Sequence, residues 1–90
     1  MNKKLNEQIS AVLPELETAL QNSEEKISVG GVVIQREEAE NMCKAFESFN
    51  NSGKKIPWKI IPLSLATSNI NYRGIQQELN TLYLSDDKER

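Results

Sequence analysis

Between Glu47 and Glu78 the chain runs for thirty residues, Ser48 to Gln77, without a carboxylate. In that window stand Lys54, Lys55, Lys59 and Arg73, with the chain's one tryptophan, Trp58, among the lysines. Cations around a large aromatic, with no acid to neutralise them, suit noncovalent capture of something negative. That ligand would be a nucleic acid, a phosphorylated ligand or an acidic protein surface. Trp58 supplies contact area if it is exposed and plugs the core if it is not; the sequence leaves both open. Lys54, Lys55, Trp58, Lys59 and Arg73 are the candidate partner-binding residues.

Covalent chemistry has little to work with. The chain has no histidine and a single cysteine, Cys43. Ser-His and Cys-His nucleophile pairs are therefore excluded, as is a zinc site built on imidazoles or several thiolates. An enzyme would have to run on carboxylates, Lys, Arg or Tyr, and no nucleophile–base pair can be drawn from the spacing. Cys43 falls in an apolar stripe with no neighbouring base to lower its pKa, so it reads as a small buried hydrophobe. Gly30-Gly31 lacks the following Lys-Ser/Thr of a phosphate loop and the spacing of a dinucleotide fingerprint, so it reads as a turn. The expectation is a non-enzymatic protein with no catalytic residue, no cofactor and no metal.

The net charge of −2 conceals a separation of sign. Residues 1–49 carry five cations against nine carboxylates, net −4, whereas residues 50–77 carry four cations and no acid, net +4. Such asymmetry speaks to partners and to self-association rather than to fold. A homo-oligomer that neutralises both halves is one expectation it raises.

The elements that must hold these residues follow from periodicity. Leu5, Ile9, Val12, Leu16 and Leu20 recur at helical spacing, giving a first helix over about 3–22 with Asn2 as its cap and a kink at Pro14. Ile27 to Ile34 is β-branched on both sides of Gly30-Gly31, predicting a short β-hairpin or a single strand at 26–34. Ala39, Met42, Cys43, Phe46 and Phe49 line one face of a second helix, 36–50. Glu37, Glu38 and Glu40 lie near its start, where the helix dipole favours them, and Asn50-Asn-Ser-Gly53 forms the stop. Pro57 and Pro62 bracket an extended segment at 54–62, after which a short helix spans 63–68. Tyr72, Ile75, Leu79 and Leu82 form the stripe of a last helix, 71–84, with Asn71 as its cap. The fold class is thus α+β and mostly helical, one small domain over 1–84, with 85–90 a disordered tail.

Residues Leu63 to Leu79 loosely resemble a helix-turn-helix: a short helix, a turn at 68–71, then a helix with a polar outer face. The resemblance implies a DNA-binding regulator in which Asn71, Arg73, Gln76, Gln77 and Asn80 read base edges while Lys54, Lys55 and Lys59 contact phosphates. The acidic balance of the chain and the brevity of the first helix count against it. A protein is therefore the preferred partner and nucleic acid the alternative. No run approaches a membrane span, and the start is not a signal peptide. The lone cysteine suits a reducing compartment, so the expected setting is cytoplasmic. The function expected is that of a small regulatory or inhibitory module acting through a basic, Trp-containing surface.

Overall fold

The computed structural model describes residues 3–88. Helix α1, Lys3–Ala19, is followed by strands β1, Lys26–Val29, and β2, Val32–Gln35. Then come α2, Arg36–Ser52, the short α3, Leu63–Ser68, and α4, Ile70–Lys88. The mostly helical α+β class is what the periodicity predicts. α1 passes through Pro14 as one helix, because Leu5, Ile9, Val12 and Leu16 stay in phase and all four are buried.

The strands settle the choice at 26–34 in favour of a hairpin. They pair antiparallel, Val29 opposite Val32 and Lys26 opposite Gln35, across a two-residue turn in which Gly30 and Gly31 both have positive φ, 59° and 83°. That backbone is the one a two-residue hairpin turn needs and glycine takes without strain. Register then sends Ile27, Val29 and Ile34 inward and leaves Ser28 and Val33 outward.

Several boundaries differ from expectation. α1 stops at Ala19 rather than residue 22, since Gln21, Asn22 and Ser23 offer no apolar contact to extend it. α2 runs to Ser52, where Gly53 takes the left-handed cap conformation and returns its N–H to the carbonyl of Phe49. The α2 N-terminus is closed by Glu38, whose carboxylate accepts from the Gln35 backbone N–H at 3.1 Å. α4 begins at Ile70 and continues past Leu84 to Lys88, with no glycine or proline to stop it. The last two positions of the expected tail, 89 and 90, lie outside the described residues. Its cap is Asn69, not Asn71: the Asn69 Oδ1 accepts from the N–H groups of Asn71 and Tyr72 at 2.9 and 3.3 Å. Asn69 alone separates α3 from α4, so the three- or four-residue turn of a helix-turn-helix is missing.

α1, α2 and α4 pack around a core that includes Leu5, Ile9, Leu16, Met42, Phe46, Tyr72, Ile75 and Leu79, with the hairpin closing one side. Lys4 and Glu78, 3.3 Å apart, tie α1 to α4 at the surface. Among the described residues, no helix is long and apolar enough to cross a membrane.

The junction of α1, the hairpin and α4 is held by a closed ring of hydrogen bonds. Glu15 accepts from Gly30 N–H through one oxygen (3.2 Å) and from the Tyr72 hydroxyl through the other (3.1 Å). Asn69 Nδ2 donates to Gly30 carbonyl at 3.0 Å, while the Asn69 Oδ1 accepts from Tyr72 N–H. Burial, and then the Glu15 carboxylate, push the Tyr72 phenol well above its ordinary range. A Cβ at Gly30 would stand 2.5 Å from Asn69 Nδ2, so the ring needs glycine there for space as well as for backbone.

Candidate functional site

The segment from Lys54 to Pro62 does not join the sheet. It crosses α4 in the opposite sense and is pinned there by side chains. Tyr83 donates its hydroxyl to Ile56 carbonyl at 2.6 Å, and Gln76 Nε2 donates to Trp58 carbonyl at 3.1 Å. The Trp58 indole N–H donates to Asn80 Oδ1, which also accepts from Gln76 Nε2 at 3.0 Å. Gln76, Asn80 and Tyr83 are spaced four and three, so they form a second stripe on α4 beside the buried Tyr72, Ile75 and Leu79. The expected extended run is broken at its centre, where Ile60 N–H returns to Pro57 carbonyl at 3.3 Å and closes a turn. Trp58 and Lys59 are the two residues at the tip of that turn, which is why they project.

Exposure follows from this. Trp58 is 47% accessible, its indole edge fixed to α4, with the Lys59 ammonium 5.4 Å from the ring centroid. Beside it Leu63 is 78% accessible. The two flank a groove of about 500 Å³ whose other walls are Lys59, Pro62, Gln76 and Asn80, with the buried Ile61 and Ala66 beneath. A second hollow of about 310 Å³ adjoins it through Pro62 and Leu63 and reaches Val33, 64% accessible, between Lys26 and Glu38. Trp58, Pro62 and Leu63 thus stand together around the groove, with Val33 across a mostly polar hollow from Leu63. Single exposed apolar residues need no explanation, but a contiguous patch does.

The five candidate partner-binding residues divide. Trp58 and Lys59 share the large groove. Lys54 and Lys55 line a different hollow of about 240 Å³ with Lys44, Ser48 and Pro57, and the Lys55 ammonium lies 4.5 Å from the Tyr83 ring centroid. Arg73 is exposed and donates to Thr67 carbonyl at 2.7 Å, bracing the end of α3. Lys54, Lys59 and Arg73 have no carboxylate partner among the described residues.

The five candidate base-reading residues also divide. Asn71, Arg73 and Gln77 are exposed, but Gln76 and Asn80 are half-buried and commit their amides to Trp58. Part of a face that looked outward in the sequence, Gln76 and Asn80, is the seat of the 54–62 segment. Leu63, Pro62 and Val33 were not among the candidates, yet a signal for them existed. Leu63 stands two positions before the buried Leu65, roughly opposite it on a helix, and Val33 alternates with the buried Ile34.

One further grouping concerns metals and protons. Glu17 on α1 and Cys43 and Glu47 on α2 bring a thiol and two carboxylates within 4.8 Å of one another. A hydrogen bond from the Glu17 carboxyl to Glu47, with desolvation and the Glu47 charge behind it, raises the pKa of Glu17. Cys43 is buried, as its place in the apolar stripe predicts, and its thiol lies 3.6 Å from Glu47. Burial first, then the Glu47 charge, push that thiol to about 11. At neutral pH it is a protonated thiol and not a nucleophile. The cluster could take a divalent cation through all three donors only if the Cys43 thiol gave up its proton.

Neither the protein-family models, nor the curated proteins, nor the solved structures include a match to this chain.

Proposed function

We propose that this chain is a non-enzymatic, cytoplasmic regulatory or inhibitory module that binds another protein through the groove between Trp58 and Leu63. The observation carrying the reading is that the one tryptophan is both exposed and immobilised: the amides of Gln76 and Asn80 hold the 58–59 turn while nearly half of the residue faces solvent. An aromatic fixed before its partner arrives loses little rotamer freedom on binding, which makes it a favourable anchor. The walls around it, Leu63, Pro62, Ile61 and Ala66, are apolar, as the centre of a protein interface is.

The test is a comparison of capture from the native cell by the parent chain and by Leu63→Ser with Trp58→Ala, read for protein and for nucleic acid. The expected result is a protein retained by the parent and lost by the double variant, with circular dichroism unchanged. Retention of the same proteins by both chains would remove the groove from the account.

A further inference from the structure

From the composition of the groove and its surroundings we infer what occupies it: an acidic segment of another protein, with an apolar anchor side chain flanked by aspartates or glutamates. The inference rests on the reading above and specifies the partner's chemistry. Within the large groove the one charged side chain is Lys59, and Ile61, Pro62, Leu63 and Ala66 form the apolar surface around it. An apolar floor takes an anchor side chain, and a cation on its rim selects what flanks that anchor. The whole stretch of chain that builds the groove, residues 58–80, contains one acid, Glu78, and Lys4 already pairs with it at 3.3 Å. An acidic flank would thus meet Lys59 and no repelling carboxylate from the groove itself.

Two other occupants fit less well. A second copy joined by a two-fold axis would set the same patch on itself, one carboxylate-free surface against another, with no acid to answer either Lys59. Head-to-tail pairing avoids that clash but leaves open ends unless the rotation closes. Single-stranded nucleic acid would stack on Trp58, but its backbone needs a row of cations along the track. Lys54 and Lys55 line a different hollow, which leaves Lys59 alone in the groove.

The experiment is selection of random twelve-residue peptides displayed on phage against the full chain at low and at moderate salt. The parent is compared with Leu63→Ser and Lys59→Glu, two substitutions at exposed positions chosen to leave the core untouched. Synthetic versions of the enriched peptides are then titrated against Trp58 emission. Enrichment of leucine, phenylalanine or tryptophan flanked by Asp and Glu, lost by at least tenfold on Leu63→Ser, supports the inference. With Lys59→Glu the acidic flank should disappear while the apolar anchor persists. Peptides that depend on Leu63 but are neutral or basic would overturn the acidic partner and leave the groove as a protein-binding site. Selection indifferent to Leu63 and Lys59, or no enrichment at all, would overturn both. Sedimentation showing a dimer abolished by Leu63→Ser would assign the groove to a second copy. Duplex or single-stranded DNA that shifts Trp58 emission where the peptides do not would assign it to nucleic acid.

Discussion

Of the places where polar side chains reach across the fold, two are held for different ends. At the first, Glu15, Gly30, Asn69 and Tyr72 form a closed ring around a fully buried phenol ring, joining α1, the hairpin and the start of α4. At the second, Gln76, Asn80 and Tyr83 hold the 54–62 segment against the middle of α4, and the group they immobilise stays in water. A polar network that encloses apolar mass specifies the fold. One that fixes an apolar group in the open lowers the entropy cost of meeting a partner. The first site should therefore report mainly in stability and the second mainly in binding.

The sharpest way to separate them begins with the hairpin. Gly30→Ala adds a methyl against Asn69 as well as strain at positive φ, and should cost about 2–4 kcal/mol in a denaturant midpoint. Gly31→Ala meets nothing within 4 Å and should cost only about 1 kcal/mol, from backbone alone. Equal losses would mean that the ring around Glu15 contributes nothing.

Alkaline pH comes next. Both Tyr72 and Cys43 have pKa values raised on folding, so between their unfolded and folded values the native state binds more protons than the unfolded one. The Cys43 contribution, on the order of 2 kcal/mol, is fully present below about 9 and is lost as pH rises toward 11, whereas that of Tyr72 is lost only at higher pH. Urea midpoints measured from pH 8 to 11 should fall, and Cys43→Ala should fall less steeply. A flat profile would contradict the buried, protonated thiol.

Smaller again is the expected effect of Asn80→Ala. Losing the hydrogen bonds that Asn80 accepts from the indole and from Gln76 should cost about 1 kcal/mol, yet it frees the Trp58 side chain and should red-shift its emission. A loss as large as that of Gly30→Ala would show that the 54–62 segment is part of the core. Leu63→Ser should be smallest, within about 0.5 kcal/mol, because the residue is already in solvent.

What the sequence made legible was what repeats. The helix stripes, the glycine pair and the Gly53 stop are local signals, and α1, the hairpin and α2 formed where those signals stand. The register of the hairpin needed only alternation once its turn was known. Contacts between distant polar side chains and backbone leave no such period. Nothing in the spacing of Gln76, Asn80 and Tyr83 says that they bind a segment 18 to 27 residues earlier, so Gln76 and Asn80 read as a free face. The same holds for the cap of α4, expected at Asn71 and found at Asn69, whose side chain also reaches Gly30. Glu17 beside Cys43 and Glu47 depends on how α1 crosses α2, which no local pattern records.

That Trp58 is accessible and lies in a positive setting can be read from its own emission, because it is the single tryptophan. Its fluorescence should be quenched efficiently by iodide and far less by caesium at low ionic strength, the difference shrinking in high salt and in Lys59→Glu. Blue-shifted emission that neither ion quenches, or stronger quenching by caesium, would contradict it.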